Sequence, residues 1–86
     1  MSKVLMYSTR CCPFCMMARR LLDAKGVDYK EIAVDSDAAQ RREMQRICGR
    51  YTVPQVFIGE RHVGGYDDLA AAEQAGELDS WLKETS

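Results

Sequence analysis

Apolar and polar positions follow two periods along this chain, one of about two residues and one near 3.6. Lys3 to Ser8 is a short run of strand-favouring residues that passes into a turn-like polar stretch, and it predicts a first strand. From Pro13 the apolar residues Phe14, Met17, Ala18, Leu21 and Leu22 recur at helical spacing and leave Arg19, Arg20 and Asp23 facing outward. Proline suits the first helical position, because the N–H it lacks would have no intrahelical partner there, so Cys12 falls at the N-cap. Lys25-Gly26 supplies the stop. Tyr29 to Val34 predicts a second strand. Asp37 with Gln40 predicts the cap of a second helix that carries Met44, Ile47 and Cys48 inward and ends at Gly49. Val53 to Ile58 predicts a third strand with its proline at the start, and Gly59-Glu60 a two-residue hairpin into a fourth, Arg61-His62-Val63. Gly64-Gly65 breaks the chain, Asp67 or Asp68 caps a third helix through Ala75, and Leu78, Trp81 and Leu82 form a final short helical turn.

The resulting order is βαβαββα, which predicts an α/β protein with a four-stranded mixed sheet and helices on both faces. With 86 residues the chain is expected to form one domain over residues 1–86, since half that length buries too little apolar surface for a core of its own. A hydrophobic content of 47% with 29% charged residues fits a compact soluble protein, and a monomer is expected. The start of the chain is too short for a signal-peptide core and no stretch is long and apolar enough to span a bilayer, so a cytoplasmic protein without a membrane partner is expected. A net charge of −1 argues against a nucleic-acid partner. The charge is unevenly spread, +4 over residues 1–50 and −5 over residues 51–86, so the first half offers basic positions for a small anion, beside the simpler reading of solvated helix faces.

Thiols stay reduced in the cytosol, so the four cysteines point to catalysis or metal binding rather than to a structural disulfide framework. Two of them form Cys12-Pro13-Phe14-Cys15 at the junction of strand and helix. The first sulfur of such a pair sits where unpaired N–H groups and the positive end of the helix converge. An ordinary cysteine pKa of roughly 8.5 falls to about 3.5–7.5 at such sites. Cys12 is therefore expected to be the nucleophile, and Cys15, one turn on and more enclosed, the thiol that acts second. A zinc site would have to draw on Cys11, Cys48 and the lone His62, without a second Cys-x-x-Cys or a His pair, and no metal is expected.

Cys12-Pro13-Phe14-Cys15 after the first strand, Thr52-Val53-Pro54 opening the third, and Gly64-Gly65-Tyr66-Asp67-Asp68 before the last long helix stand in one order and spacing. In these three motifs the sequence resembles the small bacterial dithiol glutaredoxins over nearly the whole chain. The resemblance implies a thioredoxin-like fold and a glutathione-dependent thiol-disulfide oxidoreductase acting on protein disulfides and protein-glutathione mixed disulfides. It implies that Pro54 is cis and faces Cys12, with Thr52 and Val53 beside it and the Val53 main chain bonding the peptide of glutathione. Gly65, Tyr66 and Asp67 would present a helix N-terminus to the γ-glutamyl carboxylate, as helix starts bind carboxylates, and Asp67 would take the ammonium. Glutathione enters as reducing co-substrate, and disulfide-bonded or glutathionylated proteins are the implied partners, ribonucleotide reductase among the candidates.

Two positions depart from the family pattern. Phe14 stands where tyrosine is usual; it keeps the ring beside glutathione and loses the hydroxyl. Thr9 stands where a lysine commonly meets the glycyl carboxylate; Arg10 is the adjacent replacement, with Arg41 and Arg50 as further candidates. Cys48 reads as a small buried hydrophobe. Cys11 reads either as an exposed spectator or as a trap for Cys12, the latter disfavoured because adjacent cysteines bridge only with strain. Two rival functions remain. A thioredoxin-type reductase would typically carry tryptophan before the pair, whereas the only tryptophan is Trp81. An iron-sulfur carrier with cluster and glutathione shared between two Cys12 thiolates is disfavoured by Pro13, where cluster-binding relatives often have glycine or serine.

Overall fold

The computed structural model describes residues 3–83. Strand β1 (Val4–Ser8) leads into helix α1 (Pro13–Ala24), β2 (Tyr29–Ala33), α2 (Ala38–Cys48), β3 (Gln55–Ile58), β4 (Arg61–Gly64), α3 (Tyr66–Gln74) and α4 (Glu77–Lys83). The sheet order is β2-β1-β3-β4, with β1 and β2 parallel and the other two pairings antiparallel. This is the mixed α/β sheet the pattern predicts, and the closing turn extends into the seven-residue helix α4.

Side chains alternate across the pleat. Val4, Met6, Val56 and Ile58 face one side, where Ala18 and Leu22 of α1, Leu69 and Ala72 of α3, and Leu78 and Leu82 of α4 pack on them. Tyr7 and Phe57 face the other side, where they meet Val34 and Met44 of α2 and the Tyr7 and Phe57 rings pack edge to face at 6.0 Å. Lys25, just past α1, joins the three helices of the first face: its Nζ lies 2.8 Å from Glu73 and 2.7 Å from Asp79.

Several sequence expectations shift. The buried stripe of α1 is Cys15, Ala18 and Leu22, while Phe14 and Met17 are exposed. Taking Cys15 into the core rotates the helix and leaves its apolar flank beside Tyr66. Arg19, expected to face outward, folds back to Glu31. On α2 only Met44 is buried; Ile47 is exposed and Cys48 is half-buried at the rim of the second cluster. Asp37 caps α2 as expected, accepting from the Gln40 N–H at 3.1 Å, and Gly49 closes it in the left-handed conformation at φ 70°.

The N-cap of α3 is Gly65, not Asp67 or Asp68. Asp68 instead takes the third helical position and its carboxylate accepts from the Gly65 N–H at 3.0 Å, the reciprocal arm of a capping box. Gly64 makes this possible. Its φ of +119° suits glycine, and a Cβ there would overlap the Asp68 carboxylate. Gly64→Ala is expected to lower stability by about 1–3 kcal/mol, read as a fall in the denaturant midpoint at unchanged slope.

Candidate functional site

Pro13 starts α1 and leaves Cys12 as an extended N-cap at φ −111°. The Cys12 sulfur makes no close capping hydrogen bond, but its thiol points to the Val53 carbonyl 3.8 Å away. Partial burial raises the Cys12 pKa; the Cys15 N–H and thiol, the Phe14 N–H and the Thr9 hydroxyl, all turned toward the sulfur, outweigh that and hold it below the ordinary cysteine value. Cys15 lies fully inside the core. Burial, then the hydrogen bond and charge of Cys12, push its thiol up to about 11, against the opposing pull of the Thr9 N–H and Arg19. The two sulfurs are thus chemically distinct: one accessible and acidic, the other enclosed and protonated.

Beside Cys12 opens a pocket of about 220 Å³. One wall is Thr52, Val53 and Pro54, with the Val53-Pro54 bond cis and Pro54 buried. These residues precede β3, so the third strand begins two residues later than the pattern predicts. The opposite wall is Gly65, Tyr66, Asp67 and Asp68 at the start of α3. The walls come close, because a Cβ on Gly65 would stand 3.5 Å from the Pro54 carbonyl oxygen. The Tyr66 and Asp67 N–H groups have no intrahelical partner, as in the first turn of any helix. Among the described residues no side chain engages the Asp67 carboxylate. Phe14 overhangs the mouth, 54% exposed, its ring stacked on Tyr66 at 6.4 Å and 30°.

Of the eight residues expected to meet the co-substrate, seven line this pocket: Phe14, Thr52, Val53, Pro54, Gly65, Tyr66 and Asp67. Arg10 does not, and instead pairs with Asp35 at 3.2 Å. The cation at the pocket is Arg50, whose Nη1 lies 3.4 Å from Asp68. Arg41 reaches the Tyr51 carbonyl at 3.2 Å, which ties α2 to the segment leading into the pocket. Of the other two cysteines, Cys11 is exposed, and Cys48 bonds the Arg50 main chain at 3.4 Å. Among the described residues no three His, Cys, Asp or Glu side chains gather as a metal site would require, and no helix is long and apolar enough to cross a membrane.

Behind the dithiol, Arg19 bonds Glu31 at 2.7 Å and the Thr9 carbonyl at 3.1 Å, bracing the loop that carries Cys12. Sequence pattern alone misses this brace, because an arginine among outward positions of an amphipathic helix gives no sign of a partner on β2. Burial pushes the Glu31 carboxyl up, but hydrogen bonds from Arg19 and Ser8 outweigh it and the pKa lies below the usual value. A lowered folded-state pKa adds stability above the unfolded value, near 4.3, and that stability is lost as pH falls through the folded value. Arg19→Met is expected to cost about 1 kcal/mol at pH 7, and progressively less as pH falls through the lowered folded-state value and Glu31 takes up its proton; urea unfolding followed from neutral to acid pH checks it.

A thioredoxin-like sheet with an acidic, accessible cysteine at a helix start and a second thiol buried one turn on defines a class of dithiol exchange proteins. The glutaredoxin family matches residues 4–63, and the chain belongs to that family. It is 52% identical over 82 residues to a glutaredoxin of Pseudomonas aeruginosa, covering 95% of this chain and 98% of the relative. It is 47% identical over 83 residues to glutaredoxin 3 of Escherichia coli, covering 96% and 100%. Among solved structures it superposes on a buckwheat glutaredoxin-glutathione complex with a TM-score of 0.87 at 30% identity, over 94% of this chain and 76% of that one. It also superposes on a Brucella melitensis glutaredoxin with a TM-score of 0.85 at 48% identity, over 96% and 90%. The protein is a thiol-disulfide oxidoreductase.

Proposed function

We propose that the protein uses glutathione to reduce protein-glutathione mixed disulfides and protein disulfides, with Cys12 as nucleophile and Cys15 as resolving thiol. The observation that carries this reading is the pocket next to the Cys12 sulfur, which combines main-chain groups at Val53, helix-start N–H groups at Tyr66 and Asp67, the Asp67 carboxylate and the Arg50 cation. A γ-glutamyl tripeptide offers the matching set: two carboxylates, one ammonium and a peptide backbone. Helix-start N–H groups suit a carboxylate, Asp67 the ammonium, Arg50 a second carboxylate, and the Val53 backbone the peptide. The complex of the buckwheat relative with glutathione supports the same choice of co-substrate.

In the first step the Cys12 thiolate attacks the glutathionyl sulfur of a mixed disulfide. The Cys12–glutathione bond forms, the old bond breaks, and the protein leaves as a thiolate that takes up a proton. A second glutathione thiolate then attacks the glutathionyl sulfur on Cys12, releasing glutathione disulfide and restoring the Cys12 thiolate. A protein disulfide runs differently: Cys12 forms the mixed disulfide with the substrate, Cys15 loses its proton and displaces the substrate thiol, and the resulting Cys12–Cys15 disulfide is reduced by two glutathiones. Neither step of the first route needs Cys15, whose thiol is buried and held protonated while Cys12 is a thiolate.

Incubation of the Cys15→Ser variant with glutathione disulfide, followed by intact-mass and peptide analysis, tests the reading. It is expected to give one glutathionyl group, on Cys12; modification of Cys11 or Cys48 in its place would contradict it.

A further inference from the structure

Beneath the Thr52-Val53-Pro54 wall runs a polar chain that the sulfur chemistry does not use. Gln55 opens β3 with only 1% of its surface exposed, so its amide has to find partners inside the protein. Its Nε2 donates to the Thr52 carbonyl at 3.0 Å and reaches the Thr52 hydroxyl at 3.2 Å. A carbonyl can only accept, which fixes the amide's orientation and leaves Oε1 facing His62 Nε2 at 2.7 Å. The hydrogen therefore sits on His62 Nε2. The imidazole is held flat against Phe57, ring centres 4.8 Å apart at 28°. Burial first, then the positive charge of Arg50, lower the His62 pKa against the opposing pull of Asp68, which favours the neutral donor.

The wall needs such a brace. Pairing of β3 with β1 ends at Tyr7 and Gln55, so Thr52, Val53 and Pro54 lie beyond the last rung of the ladder. The Gln55 side chain substitutes for the missing rung, tying Thr52 back to the sheet, and His62 on the neighbouring β4 locks that side chain.

We propose that His62, acting through Gln55, is a positioning residue that sets the placement of the Thr52-Val53 main chain and so determines specificity for the glutathionyl group. This rests on the glutathione reading of the pocket. His62 touches neither sulfur. Its loss weakens recognition of the glutathione backbone and leaves the ionisation of Cys12, which depends on α1 and Thr9, in place.

The test compares one peptide carrying its cysteine either as a glutathione or as a 2-mercaptoethanol mixed disulfide. His62→Phe keeps the ring stack and removes the donor; His62→Gln returns an N–H close to the position of Nε2. His62→Phe is expected to raise KM for the glutathionylated peptide by about tenfold, the worth of one buried hydrogen bond, with kcat within about twofold. KM for the 2-mercaptoethanol peptide and the pH dependence of Cys12 thiolate absorbance stay as in the unsubstituted protein, and His62→Gln recovers most of the loss. Gln55→Met, which removes the amide at nearly constant volume, is expected to match His62→Phe and serves where that variant does not fold. An unchanged KM, or an equal loss on both peptides, overturns the positioning role. If the unsubstituted protein does not prefer the glutathionylated peptide, the glutathione reading itself fails and the inference falls with it.

Discussion

Cys12→Ser is expected to lower turnover of every disulfide substrate by on the order of a thousandfold or more, while the protein unfolds at nearly the temperature of the parent. Two features of the structure require this. The Cys12 sulfur combines partial access to solvent with a pKa held below the ordinary cysteine value, which enriches its thiolate at neutral pH. The groups that stabilise that thiolate belong to the start of α1 and to Thr9, and they converge on one point that Cys11, although adjacent and exposed, does not occupy. A serine hydroxyl at this point remains protonated and is a poor nucleophile toward sulfur. Steady-state rates with a glutathionylated peptide and with a disulfide-bonded protein, beside a thermal unfolding curve, check the prediction.

Cys15→Ser is expected to divide the two routes. Turnover of a glutathionylated peptide stays within about threefold of the parent, because both exchange steps there involve only Cys12 and glutathione. Reduction of an intramolecular protein disulfide falls by about a hundredfold or more, since nothing displaces the substrate thiol from the mixed disulfide with Cys12. Cys15 is fully buried, and the Thr9 N–H that faces its sulfur is placed to satisfy a serine oxygen instead, so the substitution leaves no buried polar group stranded. Loss of both activities would mean that Cys15 takes part in the glutathione route as well. The same contrast governs alkylation. With Cys12 lowered and Cys15 raised to about 11, iodoacetamide at neutral pH is expected to label Cys12 and spare Cys15, and raising the pH through the Cys12 value speeds the labelling until its thiolate is fully formed.

Much of this site was legible in the chain because local rules fix it. Proline at the start of a helix places Cys12 at the N-cap, Asp37 with Gln40 announces α2, and Gly59-Glu60 announces the hairpin that brings β4 beside β3. What the chain concealed depends on tertiary partners. Adjacency to Thr9 favours Arg10 over Arg50 in the sequence; in the structure Asp35 draws the first away from the pocket, and Asp68 holds the second beside it. On α1 the pattern places Ala18, Leu21 and Leu22 toward the core as found, but it includes Phe14 and Met17, which burying Cys15 turns outward, because a cysteine seldom counts as the residue that orients a helix. The sequence pattern misplaces the cap of α3 for a similar reason. A glycine contributes no side chain to a capping pattern, and only the bond from the Gly65 N–H to Asp68 reveals that the aspartates lie inside the helix. The His62–Gln55–Thr52 chain spans two strands and was invisible to any local rule.

The proposed electron donor is glutathione. The purified protein, a glutathionylated peptide, glutathione, glutathione reductase and NADPH form a complete assay, with thioredoxin reductase replacing glutathione and its reductase in a parallel sample. Rapid NADPH consumption that depends on both the protein and glutathione, with none in the parallel sample, is the predicted result. Turnover driven by thioredoxin reductase, with none from glutathione, would contradict it.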